Sequence, residues 1–289
     1  MTEIDWPFIA SEALAAGELT LRQLRRHHEA VYPGVWIPRG AELDAVVRAR
    51  AAWLWSGRRG VLAETSAAAV LGAKWVEGER PAVVVHDNRR PPRGIVVHTD
   101  TLDPAEITQV YGLPITTPAR TAFDLARRLP QTEAVQRIDA LMNAVDVKPA
   151  DVMDVARLHP GARGQRRLRR VLPLVDGGAE SPYETLTRLA LLRNGFPAPQ
   201  TQIEVRDVYG RVFARLDMGW PLWQVAVEYD GAQHWADAGQ RAWDIERWAA
   251  LEAAEWSVIR VSSAMLRRPA VFLERARAAL RARGCPAMS

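Results

Sequence analysis

Four carboxylates and a histidine in the last third of the chain have the types and spacing for phosphodiester chemistry: Glu180, Asp217, Glu228, Asp230 and His234. The segment WQVAVEYDG puts Val225 and Val227 on one face of a strand and Glu228 and Asp230 on the other, because side chains alternate with period two. Pro221 cannot donate to a ladder, so a turn is expected around Gly219–Leu222. A hairpin centred between Leu222 and Trp223 sets Asp217 opposite Glu228. Three carboxylates then converge at one end of a small sheet, where their repulsion costs on the order of several kcal/mol unless something neutralises it. A divalent ion, Mg²⁺ or Mn²⁺, held by Asp217, Glu228 and Asp230 is one solution. Mg²⁺ favours one or two carboxylates with water and a substrate phosphate. It can activate water and offset charge building on the phosphate. Ordinary salt bridges from Glu228 and Asp230 to Arg215 and Arg260 are the other solution. His234 suits a general base or an orienting partner, or else a loop histidine bonding its own backbone. Asp244 and Arg247 lie on the polar flank of the next helix, where they orient the site or pair with each other at i, i+3.

The elements that must position these groups are legible nearby. Ser181, Pro182 and Glu184 form the start of a helix running to Gly195, with Glu184 occupied as the far half of a capping box. Glu180 lies just outside the cap and has no such task. TQIEVRDVYGRVFARLDMGW reads as a hairpin turning at Tyr209-Gly210. The segment DAGQRAWDIERWAALEAAEW is a helix, and SVIRV (257–261) is a returning strand. Strand, helix and strand place SVIRV parallel to the Glu228 strand by the right-handed crossover rule.

At 289 residues, with 48 % apolar residues, the chain is long enough for two domains or three small ones. No run of about 18 apolar residues marks a membrane span. A single cysteine, Cys285, excludes an internal disulfide framework and a cysteine-based zinc site. The start, MTEIDWPFIASEALAAGE, lacks the pattern of a signal peptide, so a cytoplasmic protein is expected.

The net charge is +4, and 36 of the 38 basic residues are arginine, which fits phosphate contact as well as a GC-rich genome. Residues 1–40 read as two helices and a hairpin, a winged-helix-like unit. The second helix, LRQLRRHHEA, places Arg22, Arg25 and Arg26 at i, i+3 and i+4, either facing DNA or forming a solvated face. Residues 41–150 read as an α/β domain containing the runs AVVVH (82–86) and IVVH (95–98). A helix there starts at Thr117-Pro118 and another covers Thr132–Val145. A basic linker helix at 151–178 carries Arg163, Arg166, Arg167, Arg169 and Arg170 with no acid four residues away, which suits phosphate contact as well as a solvated helix face. The last domain spans 179–289.

Two resemblances refine this reading. ESPYETLTRLALLRNGFPAPQTQIEV, RLDMGWP, VAVEYDGAQHW and DIERWAALEAAEWSVIRV together resemble the PD-(D/E)XK (restriction-endonuclease-like) superfamily, and within it the Vsr-like endonuclease domains of actinobacterial proteins. That likeness covers about 100 residues and implies Mg²⁺-dependent DNA cleavage. It makes Asp217 and Glu228 metal ligands and Glu180 the helix acid. Asp230 and His234 match an acid-x-acid-Gly-x-x-His arrangement. The family's lysine two residues after the second acid is replaced by Asp230, and Gln233, His234 or an arginine would have to substitute.

GELTLRQLRR, GVWIPRG and GLPITTPARTAFDLARRL resemble the type IV antitoxin family linked to abortive infection, which implies winged-helix DNA binding without catalysis in that half. The expected protein is therefore a multidomain α+β / α/β chain acting as a Mg²⁺- or Mn²⁺-dependent deoxyribonuclease, with DNA as partner. The alternative is a DNA-binding regulator or antitoxin-like protein whose nuclease fold is inactive. A homo-oligomer and a partner toxin remain open.

Overall fold

The computed structural model describes residues 5–76, 80–88, 90–231 and 238–288, with the backbone alone for 238–245. The chain is a mixed α+β protein that divides into two compact units, 1–175 and 176–289.

The first unit opens with β1 (Phe8–Ile9), α1 (Ala10–Ala15), α2 (Leu21–His27), β2 (His28–Tyr32) and β3 (Val35–Pro38). The three strands form an antiparallel sheet in the order β1-β3-β2. Thr20 caps α2 through a capping box with Gln23. The helix expected to reach Ala30 stops at His27, because His28 onward pairs with β3 and recovers its backbone bonds there. Then follow α3 (Ala45–Trp55), β4 (Val61–Leu62), α4 (Glu64–Val70), β5 (Ala82–Val85), β6 (Ile95–His98), β7 (Ile107–Val110) and β8 (Leu113–Thr116). β4 to β8 make a mixed five-stranded sheet in the order β6-β5-β4-β8-β7. The two valine-rich runs lie side by side in it as the parallel pair β5 and β6. Four helices complete the unit: α5 (Pro118–Arg128), α6 (Gln131–Ala144), α7 (Pro149–Leu158) and α8 (Gln165–Val171).

The head, the α/β domain and most of the basic linker, expected as separate pieces, fall within this one unit. Tyr32 and Val35 of the head pack into the same core as Ala49, Ala52, Leu62, Val84 and Ile115. Burying that apolar surface jointly favours one body over two small ones.

α5 is held by charge as well as by apolar contact. Arg120, 1 % exposed, donates to Glu106 (2.6 Å) and Asp124 (2.9 Å). Arg127 bridges Asp124 (2.7 Å) and Asp100 (2.6 Å), and Arg128 joins Asp100 (2.5 Å) to Glu64 (3.1 Å). Each buried guanidinium thus has carboxylate partners, without which burying it would be very costly.

The second unit runs α9 (Pro182–Arg193), β9 (Gln200–Arg206), β10 (Val212–Trp220), β11 (Val225–Tyr229), α10 (Ala238–Ala253) and β12 (Ser257–Val261). It ends with α11 (Ser263–Arg267) and α12 (Ala270–Ala282). The sheet order is β12-β11-β10-β9, antiparallel except for the parallel pair β11 and β12. Phe272, Ala276 and Leu280 of α12 pack with Leu191 and Val227 in one core, and Leu251 of α10 packs with Leu216 and Ala226 in another. The alternation of the sheet puts these on opposite faces. Gly219 permits the close β10–β11 approach, since a Cβ there would lie 2.4 Å from the Val225 carbonyl oxygen.

Candidate functional site

In the second unit, β10 and β11 pair Met218 with Val227 and Trp220 with Val225, and the same register puts Asp217 opposite Glu228. Pro221–Trp223 forms the short 3-10 turn between them. Asp217 Oδ2 accepts from the Tyr229 amide at 2.7 Å. Burial pushes the Asp217 carboxyl up to about 7, and the charges of Glu184 and Glu228 push in the same direction; the Tyr229 amide and Arg247 oppose them. Burial likewise raises Glu184.

The other acids are turned onto arginines. Both terminal nitrogens of Arg247 reach the Glu228 carboxylate, one of them at 3.3 Å, and the same guanidinium donates to the Arg215 carbonyl at 3.2 Å. Asp230 pairs with Arg260, and Glu180 with Arg215 at 2.9 Å. The salt-bridge alternative therefore holds for Asp230. For Glu228 the partner is Arg247 rather than Arg215, so Arg247 of α10 reaches a carboxylate of β11.

Two expectations about α9 change places. Ser181 caps the helix, accepting from the Glu184 amide at 3.2 Å, but the Glu184 carboxylate reaches back to the Glu180 amide at 2.8 Å, one residue before the cap. Glu184 is 8 % exposed and turned toward Asp217, whereas Glu180 is exposed. The helix acid beside Asp217 is therefore Glu184. A sequence signal existed: Glu184, Arg188 and Leu191 recur at i, i+4 and i+7, and all three are buried. Tyr183 and Tyr229, also unremarked in the sequence, stack beside this cluster with ring centroids 4.6 Å apart. Gln233 and His234 lie outside the described residues, as does the side chain of Asp244.

These residues do not fit a divalent ion. Among the described residues no group of three or more His, Cys, Asp or Glu side chains could hold one. In the expected triad, Asp217 Oδ2 accepts from the Tyr229 amide, and Glu228 and Asp230 are paired with the guanidinium groups of Arg247 and Arg260.

The arginines of the first unit are arranged in the opposite way. Arg22, Arg25 and Arg26 stand exposed on α2, which is anchored by Leu24 at 3 % exposure. Arg163, Arg166, Arg167, Arg169 and Arg170 stand exposed on and just before α8, anchored by the fully buried Leu168 and Val171. Among the described residues none of these eight has a carboxylate partner. The charge is distributed to match. Residues 1–175 hold 24 basic against 20 acidic residues and 176–289 hold 14 of each, so the whole excess of +4 belongs to the first unit.

Residues 59–174 match the AbiEi antitoxin C-terminal domain family. That match contains the β4–β8 sheet and the helices through α8. Two uncharacterized proteins from two strains of Mycobacterium tuberculosis are each 31 % identical to this chain over 170 residues. The aligned part is 59 % of this chain and 62 % of each relative, so less than two thirds of the relatives' length is spanned. No solved structure matches significantly. The expectation of a Mg²⁺- or Mn²⁺-dependent deoxyribonuclease is corrected by this family match, which is to an antitoxin domain. Of the acids that suggested cleavage, Glu180, Glu228 and Asp230 pair with arginines, and Asp217 accepts from the Tyr229 amide. Among the described residues no helix is long and apolar enough to cross a membrane.

Proposed function

We propose that this protein is a DNA-binding, antitoxin-like regulator that contacts DNA through its first unit. The observation that carries this reading is the set of eight exposed arginines, without acid partners among the described residues, on α2 and on and just before α8. Exposed guanidinium groups held on rigid, apolar-anchored helices suit phosphate oxygens. The arrangement of α1, α2 and the β2–β3 hairpin supports a winged-helix head. In that reading α2 meets the duplex with Arg22, Arg25 and Arg26, while Arg163, Arg166, Arg167, Arg169 and Arg170 add backbone contacts. The match of residues 59–174 to an antitoxin domain supports a partner toxin as the second ligand.

The second unit's order of helix, three strands, helix and strand supports a restriction-endonuclease-like fold that serves as a scaffold, with Arg247 and Arg260 where a metal site would need free carboxylates. Electrophoretic shifts and fluorescence anisotropy with duplex DNA from the protein's own promoter region test the DNA reading. Binding that weakens steeply with salt, and weakens further in Arg22→Ala/Arg25→Ala/Arg26→Ala, is the expected result. A wild-type protein that leaves every duplex unshifted at about 50 mM salt would overturn it.

A further inference from the structure

A cleft of about 640 Å³ in the first unit is walled by the end of β6 (His98, Thr99, Asp100), the end of α5 (Arg127, Arg128) and the loop into α8 (Gly161–Gly164, Arg167). Its size lies within the roughly 300–1,000 Å³ of small-ligand sites. α5 and α8 clasp each other's backbones across it. Arg127 Nη1 donates to the Arg163 carbonyl at 3.4 Å, and Arg167 Nη1 donates to the Arg128 carbonyl at 2.5 Å. Gly164, at φ 92°, allows this, because a Cβ there would sit 2.2 Å from the Arg127 carbonyl oxygen.

The charges in the cleft do not balance. Arg127 and Arg128 are matched by Asp100 at the floor and by Asp124 and Glu64 behind it. Arg163 and Arg167, which also line the cleft, are exposed and have no carboxylate partner among the described residues, so the cleft carries positive charge that its own acids do not offset. Two arginines without carboxylate partners and a threonine, all lining one cleft, supply the donors that a dianion with several acceptor oxygens needs.

The geometry points to this cleft as a binding site for the terminal phosphate of a nucleotide-sized ligand, with Arg163 and Arg167 clamping the phosphate and Thr99 donating to it. The phosphate can come from a free nucleotide or from the 5′ end of a DNA strand. The site shares Arg163 and Arg167 with the DNA-contact reading and rests on it only in taking phosphate as the chemistry.

Isothermal titration of the full chain with pyrophosphate is the direct test. Competition by a nucleoside triphosphate, a 5′-phosphorylated duplex and the same duplex with 5′-hydroxyl ends then identifies the source. Wild type binds pyrophosphate, and Arg163→Ala/Arg167→Ala loses at least tenfold in affinity. Arg157→Ala removes an exposed arginine elsewhere and keeps the affinity; Arg167→Gln alone gives an intermediate loss if the double variant folds poorly. Displacement by the triphosphate alone assigns a free nucleotide, and displacement by the phosphorylated duplex alone assigns a strand end. If neither pyrophosphate nor the triphosphate binds while duplex DNA still does, the cleft assignment is overturned and the DNA reading stands. If pyrophosphate binds and no duplex does, the DNA reading falls and the cleft remains.

Discussion

Arg247 lays both terminal nitrogens against the Glu228 carboxylate, with the two side chains only 12 % and 11 % exposed. The pair ties α10 to the face of β11 at the point where Asp217 and Glu184 add two further carboxyl groups. Its guanidinium also lies 4.9 Å from the centre of the Trp248 ring. A guanidinium so placed offsets the Glu228 charge, while Asp217 meets its neighbours' charge by holding its proton more tightly.

Arg247→Ala leaves Glu228 buried without its counter-charge, and such a loss costs about 3–5 kcal/mol. Urea denaturation of the variant is expected to show a destabilisation of that size, with little change in Arg247→Met/Glu228→Gln, where both charges go. An Arg247→Ala protein as stable as wild type would mean that the pair contributes nothing.

Asp217 gives the protein a pH dependence of definite sign. Its carboxyl is raised from an ordinary 3.8 to about 7 in the folded state, so between those values the native chain holds a proton that the unfolded chain has released. Stability from this group is present at low pH and is lost as pH rises from about 4 to 7. Asp217→Asn keeps an acceptor for the Tyr229 amide and removes the ionisation. Discounted for partial solvent access, its expected gain over wild type at pH 8 is on the order of 2 kcal/mol, shrinking toward pH 4. Paired denaturation curves at the two pH values check it, and an advantage that grows toward acid would contradict the assignment.

The reach of the sequence differs between these two residues for a physical reason. Asp217 facing Glu228 is a local fact, fixed by period-two alternation and by a turn that Pro221 forces, and the parallel return of β12 follows from chain handedness. Arg247 meeting Glu228 is a tertiary fact, set by how α10 lies on the sheet, and spacing along α10 left open whether Arg247 orients the site or pairs with Asp244. Glu184 was hidden differently: capping alone accounted for it, and only its burial beside Asp217 reveals the second relationship. The joining of residues 1–40 to the α/β domain was equally out of reach, because Tyr32 packs on Ala49 and Val84 through long-range contacts with no local signature.

If the exposed arginines touch DNA phosphates, each contact leaves a trace in salt. For a duplex, log K falls with log salt at about 0.9 per neutralised phosphate, so Arg22→Ala/Arg25→Ala/Arg26→Ala should flatten the slope by about 2–3. The variant should remain as stable as wild type, since all three side chains are exposed and unpaired among the described residues. Anisotropy titrations between about 50 and 200 mM salt measure this. An unchanged slope with unchanged affinity would remove α2 from the interface.

Gly164 links the stability of the first unit to its basic surface. The residue sits at φ 92° and its α-carbon faces the Arg127 carbonyl so closely that a methyl group would lie 2.2 Å from the oxygen. Gly164→Ala therefore incurs left-handed backbone strain of about 1–3 kcal/mol and must also push α8 away from α5. The movement breaks the reciprocal bonds of Arg127 to Arg163 and of Arg167 to Arg128, while Leu168 and Val171 resist it from the core. The variant is expected to unfold at lower urea and, while still folded, to lose DNA affinity although no charge has been removed. Ala162→Gly, in the same loop, introduces neither strain nor clash and should cost at most about 1 kcal/mol, chiefly through chain entropy. Should Gly164→Ala lose stability yet bind DNA as wild type does, the placement of α8 would matter for folding only, and the arginines of α8 would not form part of the DNA surface.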